Sequence, residues 1–317
     1  MSEQEEPTIS AELQAERTSD VTAAEEPPRS RWRIFVSNQV FITLAFLLLL
    51  IVAFSLLAPG KFGTFNNLTL LAQNVAILTV VSVGTTFIIA TAGIDLSIPN
   101  AIILGEVFTV KALQMIPVDE RMAVAIPATE ANVVVIVLPL LAALVAGFLI
   151  GAVNGALVAY LRIAPFIATL ATLGAGLGVA LLLMNGVNAA TYAIAEVADS
   201  DLFFGVSNLI VIALGVVVLG YIGMHMSVFG RHTLAIGSNE EAARRVGINI
   251  KRLLLKVYIV GGVAAGIAGY LSVAYFTTTS VAGHATDNLR AITAVALGGT
   301  SLFGGVATII GTVVGVW

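Results

Sequence analysis

The chain has 317 residues, no cysteine and very little charge. The lack of cysteine excludes disulfide bonds and thiolate metal sites. The three histidines, His225, His232 and His284, are too scattered to predict a metal site. Charged residues make up 11% of the chain, against about 25% in ordinary soluble proteins. The formal charge of −4 and the pI near 5.4 give no support for nucleic-acid binding.

A phosphate-binding loop of the form G-x-x-x-x-G-K-[ST] is also absent. The only Gly-Lys pair, Gly60–Lys61, is followed by Phe62 and lacks the upstream glycine. We therefore expect no ATP site of this kind and no cofactor in the chain itself, so any nucleotide-driven step needs a second polypeptide. We also predict that the chain is not an enzyme.

The sequence is unusually rich in apolar residues. Hydrophobic residues make up 58% of the chain, and the mean hydropathy is +0.99. Such a chain has too little polar surface for a soluble fold of this size, and the lipid bilayer is its natural solvent. The sequence therefore predicts an all-α, polytopic bundle of transmembrane helices. Four glycine pairs have the small-xxx-small spacing typical of helix contacts in membranes: Gly151–Gly155, Gly174–Gly178, Gly262–Gly266 and Gly311–Gly315.

The chain divides into an acidic tail and a membrane domain. Residues 1–33 are rich in carboxylates, Ser and Thr, a composition typical of disorder. We predict a disordered cytoplasmic tail there and a transmembrane domain over 34–317. Apolar runs in this domain predict about eight spans, near 39–58, 68–91, 96–113, 132–153, 164–184, 208–228, 253–276 and 291–316. The stretch ATAGIDLSIPN interrupts the third, which leaves a re-entrant segment as the alternative to a full crossing.

The distribution of Lys and Arg predicts the orientation. With the N-terminus in the cytoplasm and eight crossings, inside segments hold Arg17, Arg29, Arg31, Arg33, Arg162, Arg231, Arg244, Arg245, Lys251, Arg252 and Lys256. Outside segments hold Lys61, Lys111, Arg121 and Arg290. This bias follows the positive-inside rule. We expect a multi-pass membrane protein with its N-terminus in the cytoplasm.

The stretch NEEAARRVGINI, which begins at Asn239, is a dense run of charged residues between two apolar segments. Ser238 and Glu241 have capping-box spacing, and Asn239 is a second capping candidate. Acidic residues come first and basic residues last, which suits the helix dipole. Gly247 is placed to end the helix. We predict a short surface helix, either a docking element or a solvated connector, whose candidate residues are Ser238, Asn239, Glu240, Glu241, Ala242, Ala243, Arg244, Arg245 and Gly247.

Four segments carry a family resemblance. The stretch GRHTLAIGSNEEAARRVGINIKRLLLKVYIVGGVAAGIAGYL resembles the cytoplasmic loop and following helix of ribose-type permeases of bacterial ABC sugar importers. TAGIDLSIPN, APFIATLATLG and ITAVALGGTSLFGGVATIIGTVVGV resemble further segments of that family, in the same order, from about residue 68 to the end.

The resemblance implies a membrane-spanning permease subunit of an ATP-driven importer, with a monosaccharide as the expected cargo. The implied partners are a separate ATPase that binds the ATP, a periplasmic or secreted sugar-binding protein, and a second permease subunit, expected to form a homodimer. The helix near 239–247 would couple to the ATPase. The family generally continues through one or two further membrane helices beyond the position of Trp317.

Several polar residues within apolar runs are candidates for the pathway or its gating: Asp95, Ser97, Glu106, Asn154, Thr169 and Thr172. Asp95 or Ser97 could instead cap a helix that carries Pro99 in its first turn. Glu106 lies eleven residues after Asp95, so one continuous helix would place both on the same face. For Asn154 and the two threonines, hydrogen bonding between helices is the structural alternative.

Two other functions stay open at this point. The first is a secondary transporter driven by an ion gradient, in which Asp95 and Glu106 bind the proton or cation. The second is a non-transporting homologue, truncated or degenerate, that uses the cytoplasmic helix merely for docking.

Overall fold

The computed structural model describes residues 39–116, 130–199, 201–203 and 206–317, and the predicted acidic tail over 1–33 lies outside them. Its helices are α1 (Gln39–Leu57), α2 (Phe65–Ala90), α3 (Ile98–Met115), α4 (Glu130–Ala159), α5 (Pro165–Leu183), α6 (Glu196–Asp199), α7 (Asn208–Tyr221), α8 (Val228–Ser238), α9 (Glu240–Arg245), α10 (Ile250–Phe276), α11 (Asp287–Leu297) and α12 (Ile309–Val316). A π-helical turn, Ile222–Met226, extends α7. Two short antiparallel strands, β1 (Asp201–Phe203) and β2 (Val206–Ser207), precede α7.

Six helices in the described part of the chain are long and apolar enough to cross a bilayer: Gln39–Leu57, Phe65–Ala90, Val133–Ala159, Pro165–Leu183, Asn208–Met226 and Ile250–Phe276. They coincide with six of the eight predicted spans. The predicted class, a polytopic helical bundle, is confirmed, while the count of eight spans is not.

The third predicted span forms α3, an 18-residue helix that is absent from this apolar set. Protein rather than lipid surrounds it, because α4, α5 and α10 all pack against it. Asn100, Glu106 and Thr109 on this helix are completely buried. A helix solvated by its neighbours can carry polar groups that a lipid-facing helix could not.

The prediction of a single span over 291–316 is wrong. The segment forms two helices of 11 and 8 residues, α11 and α12, which pack against each other. Gly298 lies against Gly311, and Ala294 lies against Gly315, so the two helices run antiparallel. Helices of this length rise about 16 Å and 12 Å, too short to cross about 30 Å of hydrocarbon. They form a hairpin whose tip, residues 298–308, contains four of the segment's glycines.

Helix α10 is the centre of the bundle. Gly147 and Gly151 of α4 approach Gly262 so closely that a side chain at any of the three would strike the backbone of the opposite helix. On another side, Gly105 of α3 approaches Gly269 in the same manner. The contacts give antiparallel packing with α4 and parallel packing with α3. Such contacts favour association in lipid because backbones come within van der Waals range.

Three of the four predicted glycine pairs make helix contacts. Gly151–Gly155 and Gly262–Gly266 belong to the interface of α4 with α10, and Gly311–Gly315 belongs to the hairpin. The pair Gly174–Gly178 on α5 differs, because a Cβ at either position would have no neighbouring atom within 4 Å in this chain. The contact expected there is therefore not made within the described part of the chain.

Helix α1 lies at the edge of the bundle, and none of its residues is buried. Its polar side chains reach the end of α11, where Thr43 Oγ1 donates to the Leu297 carbonyl at 2.8 Å and Gln39 Nε2 to the Ala296 carbonyl at 3.2 Å. The last carbonyls of a helix lack intrahelical partners. The bond from Thr43 therefore satisfies an acceptor that lipid could not, whereas the Ala296 carbonyl also accepts from the Gly299 N–H at 3.0 Å.

The packing of α4 on α10 leads to a first prediction. Gly262→Ala places a methyl group against the Gly147 carbonyl and should destabilise the protein by about 1–3 kcal/mol. Gly215→Ala in α7, where the added Cβ has no neighbour within 4 Å, should be neutral or slightly stabilising. Thermal unfolding of the purified protein in one detergent compares them. Equal midpoints for the two variants would contradict the packing described.

Candidate functional site

The predicted surface helix forms as α9, Glu240–Arg245. Asn239 is its cap, since the side-chain Oδ1 accepts from the Ala242 N–H at 2.9 Å. The expected capping box of Ser238 with Glu241 does not form. Ser238 ends the preceding helix α8, and its hydroxyl donates to the Leu234 carbonyl at 3.0 Å. Asn239 rather than Ser238 caps α9 because Asn239 has an extended backbone, φ −162° and ψ 102°, which separates α8 from α9.

The other end of α9 closes at Gly247, as predicted. Gly247 has φ +88°, its N–H bonds to the Arg244 carbonyl, and the Ile248 N–H bonds to the Ala243 carbonyl. This pair of bonds is the Schellman arrangement, which needs a residue in the left-handed region and favours glycine. The helix is thus fixed at both ends, although it has only six residues.

One side of α9 is anchored and the other is open. Ala243 is buried in a small apolar cluster with Ile236, Ile250 and Leu253, which joins α9 to α8 and α10. On the open side, ion pairs link Glu240 to Arg244 at 2.6 Å, and Glu241 to Arg244 and Arg245 at 3.4 and 3.3 Å. Exposed pairs of this kind contribute little stability, about 0.2–0.5 kcal/mol each. Their geometry keeps the charged face ordered.

Val246 is an apolar residue of the charged stretch that was not among its candidate residues. It follows α9 directly and is 78% exposed. Next to the helix, a cleft of about 870 Å³ extends towards α4, α5 and α10, with Arg162, Asn239, Arg244 and Lys251 in its wall. The exposed Val246 and the charged side chains of α9 therefore lie beside this cleft.

The tip of the α11–α12 hairpin touches the same region. The Gly305 N–H donates to the Ala90 carbonyl at the end of α2 at 3.0 Å. Gly304 and Gly305 lie against Gly237 and Ser238 at the end of α8, and a side chain at Gly237 would collide with Ala90. α8 therefore contacts α2, α10 and the hairpin directly, and α9 contacts α8 and α10.

Five of the six candidate polar residues belong to one hydrogen-bonded network: Asp95, Ser97, Asn154, Thr169 and Thr172. Ser97 donates its N–H and its hydroxyl to Asp95 Oδ1, at 2.7 and 2.6 Å. Asn154 Nδ2 donates to the Ser97 hydroxyl at 2.6 Å, and Thr172 Oγ1 donates to Asn154 Oδ1 at 2.6 Å. The Leu96 N–H donates to Thr169 Oγ1 at 3.0 Å. The network joins the start of α3 to α4 and α5, the structural role that was the alternative for Asn154 and the threonines.

The start of α3 differs from the expected capped helix. Pro99 does lie in the first turn, but the Ser97 hydroxyl makes no bond to a helix N–H. The Asp95 carboxylate holds Ser97 instead. Burial raises the pKa of Asp95, while the two bonds from Ser97 act in the opposite direction. Asp95 precedes the helix, so it does not share a continuous helical face with Glu106 as the eleven-residue spacing had suggested.

Glu106 belongs to a separate network near the opposite end of α10. Its Oε1 accepts from the Ser272 hydroxyl at 2.6 Å and lies 2.8 Å from His284 Nε2. Its Oε2 accepts from the Ser280 N–H at 2.8 Å. His284 Nδ1 lies 2.7 Å from Asp287 Oδ2. Glu106 is completely buried, and three donors surround its carboxylate.

Ser272, His284 and Asp287 have a superficial likeness to a Ser-His-Asp catalytic triad. The Ser272 hydroxyl lies 3.2 Å from His284 Nε2, but it donates to Glu106 at the shorter distance of 2.6 Å. Both nitrogens of His284 face carboxylates, so neither is available as a base for the serine. Ser272 is also fully buried. The arrangement suits a structural charge network rather than nucleophilic chemistry, and no metal-holding group of carboxylates and histidines occurs among the described residues.

Comparisons with known proteins give consistent relatives. Residues 67–317 match the family described as branched-chain amino acid transport system / permease component. The ribose import permease of Escherichia coli strain K12 is 35% identical over 275 residues, which cover 85% of this chain and 80% of that protein. The fructose import permease of Rhizobium meliloti is 30% identical, over 88% of this chain and 76% of the relative. The ribose import permease of Bacillus subtilis strain 168 is 33% identical, over 85% and 79%. No solved structure gives a significant match.

The network of Asp95, Ser97, Asn154, Thr169 and Thr172, which we call the inner network, leads to a second prediction. Thr172→Val keeps the shape of the side chain but leaves Asn154 Oδ1 buried without its donor, which should cost about 1–3 kcal/mol. The matched control is Thr69→Val, because the Thr69 hydroxyl bonds only to the Phe65 carbonyl of its own helix. Thermal unfolding in detergent measures both. A midpoint for Thr172→Val as high as that of the control would show that the network adds no stability.

Proposed function

Because the chain belongs to the ribose-type permease family of ABC importers, we propose that it is the membrane-spanning permease subunit of an ATP-driven importer for a monosaccharide. The proposal of a sugar is supported by relatives named as ribose and fructose import permeases. The description of the wider family names branched-chain amino acids, so the support for a sugar comes from these relatives alone. The chain contributes the pathway and carries out no reaction.

The observation that carries this proposal is the shape of α9. α9 has six residues, a cap at each end, a buried Ala243 and an exposed opposite face. It is therefore a rigid element on the surface of the membrane domain, which we call the handle. A separate ATPase would bind this face, with Val246 and the charged side chains of Glu241 and Arg245 as contacts. ATP would be bound by that subunit, since this chain lacks a phosphate-binding loop.

Movement of the handle would reach the bundle through packed contacts. The apolar cluster of Ala243, Ile236 and Leu253 links α9 to α8 and to the first turn of α10. α10 in turn packs on α2, α3 and α4. A displacement of α9 by the ATPase is thus carried directly to the central helix, because close-packed elements shift as units and do not deform continuously.

The inner network would take part in gating. Asp95, Ser97, Asn154, Thr169 and Thr172 hold the start of α3 against α4 and α5, close to the cleft beside α9. A relative movement of α4 and α5 would break the bond of Thr172 to Asn154. The network therefore favours one arrangement of these helices, and an ATP-driven displacement would have to overcome it. Glu106 stays a candidate for pathway or gating on the opposite side.

The remaining partners follow from the same proposal. A periplasmic or secreted sugar-binding protein would deliver the cargo, and a second copy of this chain would complete the pathway as a homodimer. The N-terminus and α9 would both face the cytoplasm of a bacterial cell, with the protein in the inner membrane. The excess of Lys and Arg in the inside segments supports this orientation.

The handle gives a third prediction. Val246→Asp places a charge on the proposed contact surface and should weaken binding of the cognate ATPase by at least about tenfold, equivalent to about 1.4 kcal/mol. Val187→Asp is the matched control, because Val187 is also strongly exposed, at 64% against 78%, but lies after α5 on the opposite side of the bundle. Interferometry with each variant in nanodiscs measures the affinity. Unchanged binding by Val246→Asp would exclude this face as the docking surface.

The energy source gives a fourth prediction. Proteoliposomes that contain this chain, its ATPase and its binding protein should take up labelled monosaccharide only with ATP. An uncoupler should leave that uptake unchanged, since no ion gradient drives it. Uptake by this chain alone, abolished by the uncoupler, would instead support the ion-driven alternative. ATPase binding without any uptake would support a non-transporting homologue.

A further inference from the structure

An irregular segment follows α10 and contacts Glu106 in the middle of α3. We call residues 277–286, which connect α10 to α11, the outer strap. The strap pairs with residues 188–191 through bonds from the Thr191 N–H to the Thr277 carbonyl, at 2.8 Å, and from the Thr279 N–H to the Ala189 carbonyl, at 3.0 Å. The Ala189 N–H also donates to Thr279 Oγ1 at 2.9 Å. These bonds make the strap part of a continuous cap.

One carboxylate ties this cap to the core of the bundle. Glu106 of α3 accepts from the strap at two points, the Ser280 N–H at 2.8 Å and, where the imidazole carries the proton, His284 Nε2 at 2.8 Å. It also accepts from Ser272 of α10. A single buried side chain therefore joins α3, α10 and the strap.

The polar groups around His284 come from three elements. Glu106 faces it from α3 and Asp287 from the start of α11, while α10 contributes the uncharged hydroxyl of Ser272. Arg290 of α11 lies 3.5 Å from the other oxygen of Asp287. A protonated imidazole between two carboxylates satisfies both of them. Loss of either carboxylate would remove one of the two charge-assisted hydrogen bonds of the imidazole, which are stronger than neutral ones.

We propose that Glu106, His284 and Asp287 form a latch that holds the outer strap closed over α3 and α10, and that neutralising the latch releases the strap. Because the strap connects α10 to α11, its release would also free the outer end of the α11–α12 hairpin. The latch is thus a conformational device on the side opposite α9. It depends on the geometry of this chain and is independent of which cargo is carried.

The latch has a defined pH dependence. Burial alone lowers the pKa of His284, but the hydrogen bonds to Asp287 and Glu106 outweigh it, and the net effect raises the pKa from 6.5 to about 9. His284 lies in the strap, outside the six membrane-spanning helices. Its charge therefore stabilises the closed strap fully below pH 6.5, and this contribution is lost as the pH rises through about 9.

Hydrogen–deuterium exchange of the full chain in nanodiscs tests the latch without any transport assay. In Glu106→Gln at pH 7, we expect protection of the amides of 277–286 to fall by at least about tenfold. Protection of the amides around α9, residues 239–248, should not change. Arg290→Gln is the matched control, because Arg290 is 65% exposed and contacts only the edge of the network, so its effect should stay below about twofold.

Two further comparisons keep the test decisive. If Glu106→Gln does not assemble, Asp287→Asn is used, with the same expected loss confined to the strap. Between pH 6.5 and 9.5, protection in the wild-type strap, corrected for intrinsic exchange, should fall by at least about tenfold, whereas the tested variant should show a much smaller fall. Wild-type protection of 277–286 in the variant at pH 7 would overturn the latch. So would a loss spread equally over 277–286 and 239–248, since the network would then support the whole fold.

Discussion

The close contact of α10 with α2, α3 and α4 is the constraint on which the other features depend. In lipid there is no hydrophobic drive to bring helices together, so the gain must come from packing. Glycines on α4 and α10 remove the side chains that would hold the backbones apart. The result is a protein-lined interior around α3. Only there, shielded from lipid, can Asp95, Glu106 and Asn154 be buried at all.

The buried polar groups form two networks, one at the start of α3 and one at its middle. At its start, the network of Asp95, Ser97, Asn154 and Thr172 consists of one carboxylate and short hydroxyl and amide side chains, and it binds α3 to α4 and α5. Further along, Glu106 of α3 bonds to Ser272 of α10 and to Ser280 and His284 of the outer strap. Short-range hydrogen bonds fail with a small shift of geometry, whereas a charge network also responds to protonation. The two networks therefore differ in the kind of change that can break them.

The sequence predicted what depends on composition and local pattern. The six spans and the helix that ends at Gly247 were all predictable, because length, apolar content and capping act over neighbouring residues. The single span over 291–316 was wrong because hydropathy does not reveal that Gly298 and Gly311 meet in a hairpin. The partners of Glu106 were missed because Ser272 and His284 lie 166 and 178 residues away in the chain. No local spacing predicts such contacts.

The position of α9 connects these two networks mechanically. α9 is fixed to the first turn of α10 through Ala243 and Leu253, and the hairpin tip touches the preceding helix at Gly237 and Ser238. α10 runs parallel to α3, from the cleft beside α9 to Ser272. A displacement of α10 relative to α3 would therefore strain the bond of Ser272 to Glu106. A displacement of α4 relative to α3 would instead strain the bond of Asn154 to Ser97, at the end of α3 beside α9.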